Sequence, residues 1–121
     1  MQRNMDLARA ILLRLEQCPY TGGWHEIDLD GYSSEDVAYH IHLLHEAGFI
    51  DAINLTTMGS PHPDWKPKTI TYLGHEFLES SRDETRWQRA KGLIKEKGGA
   101  MTFDALKLVL SELVRRSLSG I

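Results

Sequence analysis

Three histidines, His40, His42 and His45, lie close together, and Glu46 follows directly. Imidazoles and a carboxylate are zinc ligands, but a zinc site needs three or four of them converging. His42 and His45 are three apart and share a helix face, and His75 could join from a later helix. A zinc-protease helix spaces its histidines four apart with the glutamate directly after the first. The order here is His-x-x-His-Glu and fails that pattern. Histidines bonded to backbone or water on a half-exposed face explain the cluster better, so no bound metal is expected.

Other chemistry is also absent from the spacing. Ser33, Ser34, Ser80 and Ser81 fall at helix starts or ends, where capping accounts for them. There is no Gly-x-Ser-x-Gly elbow. The glycine pairs lack the Gly-Lys-Ser/Thr ending or the preceding strand of a phosphate loop. The acid pairs Asp28/Asp30 and Glu35/Asp36 fit the outer face of a strand and the N-terminus of a helix. Neither an enzymatic activity nor a cofactor is expected.

Binding residues are easier to name. Trp65 stands beside Lys66 and Lys68, with His62 nearby, in a stretch broken by Gly59, Pro61, Pro63 and Pro67. An aromatic and two lysines on a loop tip can touch a phosphate backbone or fill a partner's pocket; equally, Trp65 can fold back as a local lid. Between Arg14 and Lys66 there is no Lys or Arg, while nine acids occur. Residues 1–61 hold 3 basic and 9 acidic side chains (net −6), and residues 62–121 hold 11 and 8 (net +3), which together give the chain's −3. Basic charge gathers in Arg82, Arg86, Arg89, Lys91, Lys95 and Lys97, where a solvated helix face is the first explanation.

The elements that must carry these residues follow from periodicity. Leu7, Ala8, Ile11, Leu12 and Leu15 recur at helical spacing, predicting a helix over 6–17 with Asp6 as its N-terminal acid or cap. Glu26 to Asp30 alternates acidic and apolar residues and predicts a short strand. Ser33 fits an N-cap with Asp36 three residues on, opening a helix to Ala47 with Val37, Ile41 and Leu44 inward. Gly48 fits its left-handed C-terminal cap. Strands are predicted over 49–55 and 69–72, with an irregular tip over 56–68. Val37, Ile41, Leu44, Phe49, Ile53, Ile70, Phe77 and Leu78 are the predicted core. Thr71 is placed to cap a helix from about Leu73 that Asp83 restarts or bends and that runs on to Gly98-Gly99, and Thr102 to cap a last helix. The last, 103–118, carries the seam Phe103, Leu106, Leu110 and Leu113, widened by Leu108, Val109, Val114 and Leu118.

Composition agrees with a folded chain. Its 121 residues, 41% hydrophobic and 26% charged, fit a folded domain. The lone Cys18 cannot form an internal disulfide, and a reducing cytoplasm is expected. The first fifteen residues interleave Arg3, Asp6, Arg9 and Arg14 with apolar ones, unlike a signal peptide. No apolar run is long enough to cross a membrane.

Helix, strand, helix, long-tipped hairpin and helix is the order of a winged helix. Val37-Ala38-Tyr39-His40-Ile41-His42-Leu43-Leu44-His45-Glu46-Ala47-Gly48-Phe49-Ile50 resembles the helix-to-wing junction of many bacterial winged-helix regulators. Thr71-Tyr72-Leu73-Gly74-His75-Glu76-Phe77-Leu78 resembles the turn from the wing's second strand into the next helix. Over residues 1–100 the chain resembles a family of short uncharacterised bacterial and prophage proteins, a domain of unknown function, through Met5-Asp6-Leu7, the Val-Ala-Tyr-His helix and Gly-His-Glu-Phe-Leu. The resemblance implies a fold and no catalytic residues. Only Gly31, Tyr32 and Ser33 separate the predicted strand from the long helix, so the usual first helix of a helix-turn-helix is shortened or absent, which argues against standard DNA docking.

The expectation is therefore an α+β, winged-helix-like domain over 1–100 and a dimerising helix over 101–121. The function expected is a phage-related, non-enzymatic module that binds a protein partner, the alternative being a DNA-binding transcriptional regulator. Partner contact is expected on the wing (His62, Trp65, Lys66, Lys68). The recognition-helix surface would be Glu35, Tyr39, His42 and Glu46, with His40 also outward, and the basic face Arg82, Arg86 and Arg89. Nucleic acid, if bound, would not be read by the acidic helix. A homodimer through the last helix is expected, against that helix packing within its own chain.

Overall fold

A computed structural model describes residues 1–119 of the chain. The described residues form five helices and one two-stranded antiparallel sheet: α1 (Met5–Glu16), α2 (Ser34–Glu46), β1 (Ile50–Asn54), β2 (Trp65–Ile70), α3 (Tyr72–Ser81), α4 (Glu84–Glu96) and α5 (Phe103–Ser119). The class is α+β, as expected. The chain divides into two compact units, Met1–His75 and Glu76–Ile121. The expected boundary at residue 100 falls inside the second unit, and the last two residues of the expected dimerising segment lie outside the described residues.

In the first unit, α1 opens on Asn4, whose Oδ1 accepts from the backbone N–H groups of Asp6 (3.0 Å) and Leu7 (3.1 Å). The cap is thus Asn4, with Asp6 in the first turn, where its charge favours the helix dipole. The apolar stripe of α1 is buried from Leu7 to Leu15. Ser33 caps α2 by accepting from the Asp36 N–H at 3.1 Å, and Gly48 leaves the helix with φ +80°. Val37, Ala38, Ile41 and Leu44 face the core with Phe49, Ile50, Ile27 and Ile70. α1 and α2 pack on one another, and both lie against the hairpin.

Two elements differ from expectation. β2 starts at Trp65, four residues early, because Pro67 sits inside the strand. Opposite Ala52, its nitrogen points away from β1, so the missing N–H breaks no ladder bond. The predicted strand over 26–30 does not form. Just before it the His25 N–H donates to the Pro67 carbonyl at 2.8 Å, and Glu26 reaches β2 through its side chain, 2.9 Å from Lys66 Nζ. An antiparallel pair needs the return bond from the opposite N–H, and proline has none. Ile53, expected in the core, is 37% exposed. It is an odd number of residues from buried Ile50, and strand alternation places the two on opposite faces.

Gly74 lets α3 begin close to the α2–β1 junction. A Cβ there would lie 2.0 Å from the Phe49 carbonyl oxygen. Thr71 Oγ1 accepts from the Gly74 N–H at 3.2 Å and caps α3 as expected.

In the second unit, Asp83 caps α4 by accepting from the Arg86 N–H at 2.8 Å. Thr102 does the same for α5 through the Ala105 N–H at 3.1 Å. Phe77 meets Trp87 and Phe103 edge-on, at 6.2 and 5.6 Å between centroids, a favourable aromatic geometry. The expected seam residues Leu106, Leu110 and Leu113 are buried in the second unit, where α5 lies against α4. Among the described residues no helix is long and apolar enough to cross a membrane.

Candidate partner-binding surface

α2 and the hairpin place most of the expected binding residues in the first unit, and the structure brings them onto one another. Trp65, at the start of β2, stacks on His42 of α2 with centroids 4.3 Å apart and planes 5° from parallel. His45, one turn on, meets the same indole at 5.5 Å and 35°, while its Nδ1–H donates to the Ile50 carbonyl at 3.3 Å. His42 Nε2 also lies 3.6 Å from Glu46. Of the two arrangements open to Trp65, the structure has it folded back, onto α2.

Lys66 is held in the same way. Its Nζ lies 2.9 Å from Glu26 and 3.2 Å from Asp64. Burial works against the charge, but hydrogen bonds and attraction from Glu26 and Asp64 outweigh it and hold the ammonium above its ordinary 10.5. His62 donates from Nδ1 to the Pro63 carbonyl at 2.9 Å, so its Nε2 accepts from the Ser34 hydroxyl at 3.1 Å. That bond ties the hairpin tip to the first residue of α2. Lys68 is half-buried on β2. The tip itself is ordered by its own bonds, Leu55 N–H to the Asp64 carbonyl and Asp64 N–H to Thr56 Oγ1, both 2.8 Å.

On α2, Glu35, Asp36 and Glu46 are exposed, Tyr39 and His42 half-buried. His40 departs from expectation: it is 2% exposed. Its Nδ1–H donates to the Asp36 carbonyl at 2.7 Å and its Nε2 accepts from the Asn4 N–H at 2.8 Å. Both ring nitrogens are therefore committed, and the residue is a clasp between the start of α1 and α2. One residue beyond the histidine spacing could have signalled it: Asn4, whose side chain caps α1 while its own N–H points away for another acceptor. With His40 buried and His42 and His45 against Trp65, the histidines do not converge. Among the described residues no group of three or more His, Cys, Asp or Glu is placed to hold a metal.

The basic face lies in the second unit. Arg82 pairs with Glu79 at 2.8 Å, and Arg86 reaches the Ser80 carbonyl at 3.4 Å. Arg89 is exposed, and Lys91 lies 5.7 Å over the Trp87 ring. Sequence reasoning left one feature of this unit unnamed. Between α4 and α5 lies an open groove of about 670 Å³ that includes Leu93, Val109, Leu113 and the exposed Leu108.

No solved structure matches the chain. It is similar to an "Uncharacterized protein" of Haemophilus influenzae (strain ATCC 51907 / DSM 11121 / KW20 / Rd), with 36% identity over 120 residues, which covers 98% of this chain and all of the relative. The family model described as "Hypothetical protein (DUF2513)" matches residues 2–100, so α1 to α4 and both strands carry the family's pattern, and the chain belongs to this family of hypothetical proteins.

Proposed function

We propose that the chain is a non-enzymatic interaction module of winged-helix type, phage-related and cytoplasmic, that binds a protein partner. One observation carries this reading: the wing is bound to its own body. Duplex binding draws its affinity from Lys and Arg replacing counterions at phosphates, yet Lys66 sits between two carboxylates. The indole that could stack on a nucleic acid or probe a pocket lies flat on His42. The N-terminal turn of α2, which in a helix-turn-helix enters the major groove, presents Glu35 and Asp36. These acids, like Glu46 and Asp51, are exposed and suit a protein partner with complementary basic groups. The Thr71-capped helix after the hairpin supports the winged-helix reading, and the serines and carboxylates in capping and surface positions support the non-enzymatic one.

A pull-down from host lysate, with and without nuclease, tests the reading. A protein captured equally in both supports it, especially if Glu35→Lys with Asp36→Lys reduces the capture. Capture that disappears on nuclease treatment points instead to the DNA-binding regulator.

A further inference from the structure

The groove between α4 and α5 is apolar along its floor and positive at its edge. Ile94 and Leu113 lie at its base, Leu93 and Val109 are half-buried along it, and Leu108 stands 74% exposed on its wall. Exposed apolar side chains grouped around a concave surface mark interaction sites. Its rim carries Lys97 and Arg116 against one carboxylate, Glu112. That carboxylate is already bonded by Arg115 at 2.6 Å and by Arg116 at 3.3 Å, and these bonds hold it below the ordinary carboxyl value. Lys97 and Arg116 against Glu112 leave the rim at a net +1.

We infer that this groove takes an amphipathic, acidic helix of a protein partner, with apolar anchors at helical spacing seated beside Leu108 and carboxylates facing Lys97 and Arg116. Helix-in-groove recognition uses this combination of an apolar trough and a charged rim. The charge of the rim selects an acidic helix over a basic one. A second copy of the chain is the weaker occupant, because the leucine seam of α5 is already buried against its own α4. The inference rests on the protein-binding reading and adds a second surface to it, on the other unit from the acidic face of α2.

The test is a fluorescence-anisotropy titration of the full chain with three synthetic peptides of about 16 residues, roughly 24 Å of helix. One carries a leucine stripe flanked by Glu, one the same stripe flanked by Lys, and one the acidic composition scrambled. The acidic amphipathic peptide should bind saturably and at least about tenfold tighter than the other two. Leu108→Glu, a change at an exposed position checked for folding by circular dichroism, should weaken it about tenfold or more. Lys97→Glu should shift preference toward the Lys-flanked peptide. Equal binding of all three peptides, no saturable binding of any, or indifference to both variants overturns the inference. Light scattering that finds a dimer split by Leu108→Glu overturns it in favour of a second copy. If Leu108→Glu leaves nuclease-resistant capture from lysate intact while the peptides fail, the groove is wrong and the protein-binding reading stands. If nothing but nucleic acid is captured, that reading falls first.

Discussion

The indole of Trp65 lies on the imidazole of His42, 4.3 Å between centroids and 5° from parallel. The first residue of β2 is thereby joined to the middle of α2. A stacked pair of this kind contributes about 0.5–1.5 kcal/mol beyond the area it buries. Trp65→Ala should therefore destabilise the fold by about 2 kcal/mol. Chemical unfolding measures this, and a variant as stable as the parent would mean that Trp65 points outward in solution.

His40 should be sensitive for a different reason. His40→Ala removes a buried ring and leaves the Asn4 N–H without its acceptor. A loss of about 2–4 kcal/mol is expected from the cavity and the orphaned donor together. Amide exchange should show the Asn4 N–H losing protection first. A change below about 0.5 kcal/mol, the range of ordinary surface substitutions, would contradict the clasp.

Two glycines should respond oppositely to alanine. At Gly74 a Cβ would meet the Phe49 carbonyl oxygen at 2.0 Å, so Gly74→Ala forces α3 away from the junction. The expected loss is about 2 kcal/mol or more. At Gly92, inside α4, a Cβ meets nothing within 4 Å, and Gly92→Ala should stabilise the helix by up to about 1 kcal/mol. Melting temperatures moving in opposite directions confirm both placements.

Lys66 supplies the pH dependence. Its folded-state pKa is raised above 10.5, so folding favours the charged form. The resulting stability is fully present below 10.5 and is lost as pH rises through the raised folded value. At neutral pH Lys66→Met should cost about 0.5–1 kcal/mol, and the gap to the parent should close at pH above the folded value. A gap that stays constant with pH would place its cause in packing rather than charge.

Capping chemistry made much of this fold legible in sequence. Ser33, Thr71, Asp83 and Thr102 each cap the helix expected of them, because a short oxygen-bearing side chain before an apolar period is a local signal. Long-range geometry was not legible in the same way. Pro67 read as a loop residue because nothing local says which side of a strand its nitrogen faces. The alternation of Glu26 to Asp30 read as a strand, although a strand needs donors across from it and Pro67 offers none. His40 read as a surface residue because its partner lies 36 residues back, at Asn4, and the two arrangements open to Trp65 could not be told apart because His42 lies on another element, α2. Their types were visible, but not the contacts they make.

Trp65 on His42 and His62 on Ser34 hold the hairpin against α2, and under the protein-binding proposal α2 reads no DNA. Anisotropy titration with labelled duplex fragments at low salt, where phosphate contacts are strongest, tests it most directly. At most weak, sequence-independent binding is expected, carried by the hairpin cations Lys66 and Lys68 and the basic run from Arg82 to Lys97, and untouched by Tyr39→Ala or His42→Ala in variants that remain folded. Tight, sequence-specific binding that Tyr39→Ala or His42→Ala abolishes, and that Lys66→Ala and Lys68→Ala leave intact, would contradict it and make the chain a DNA-binding regulator.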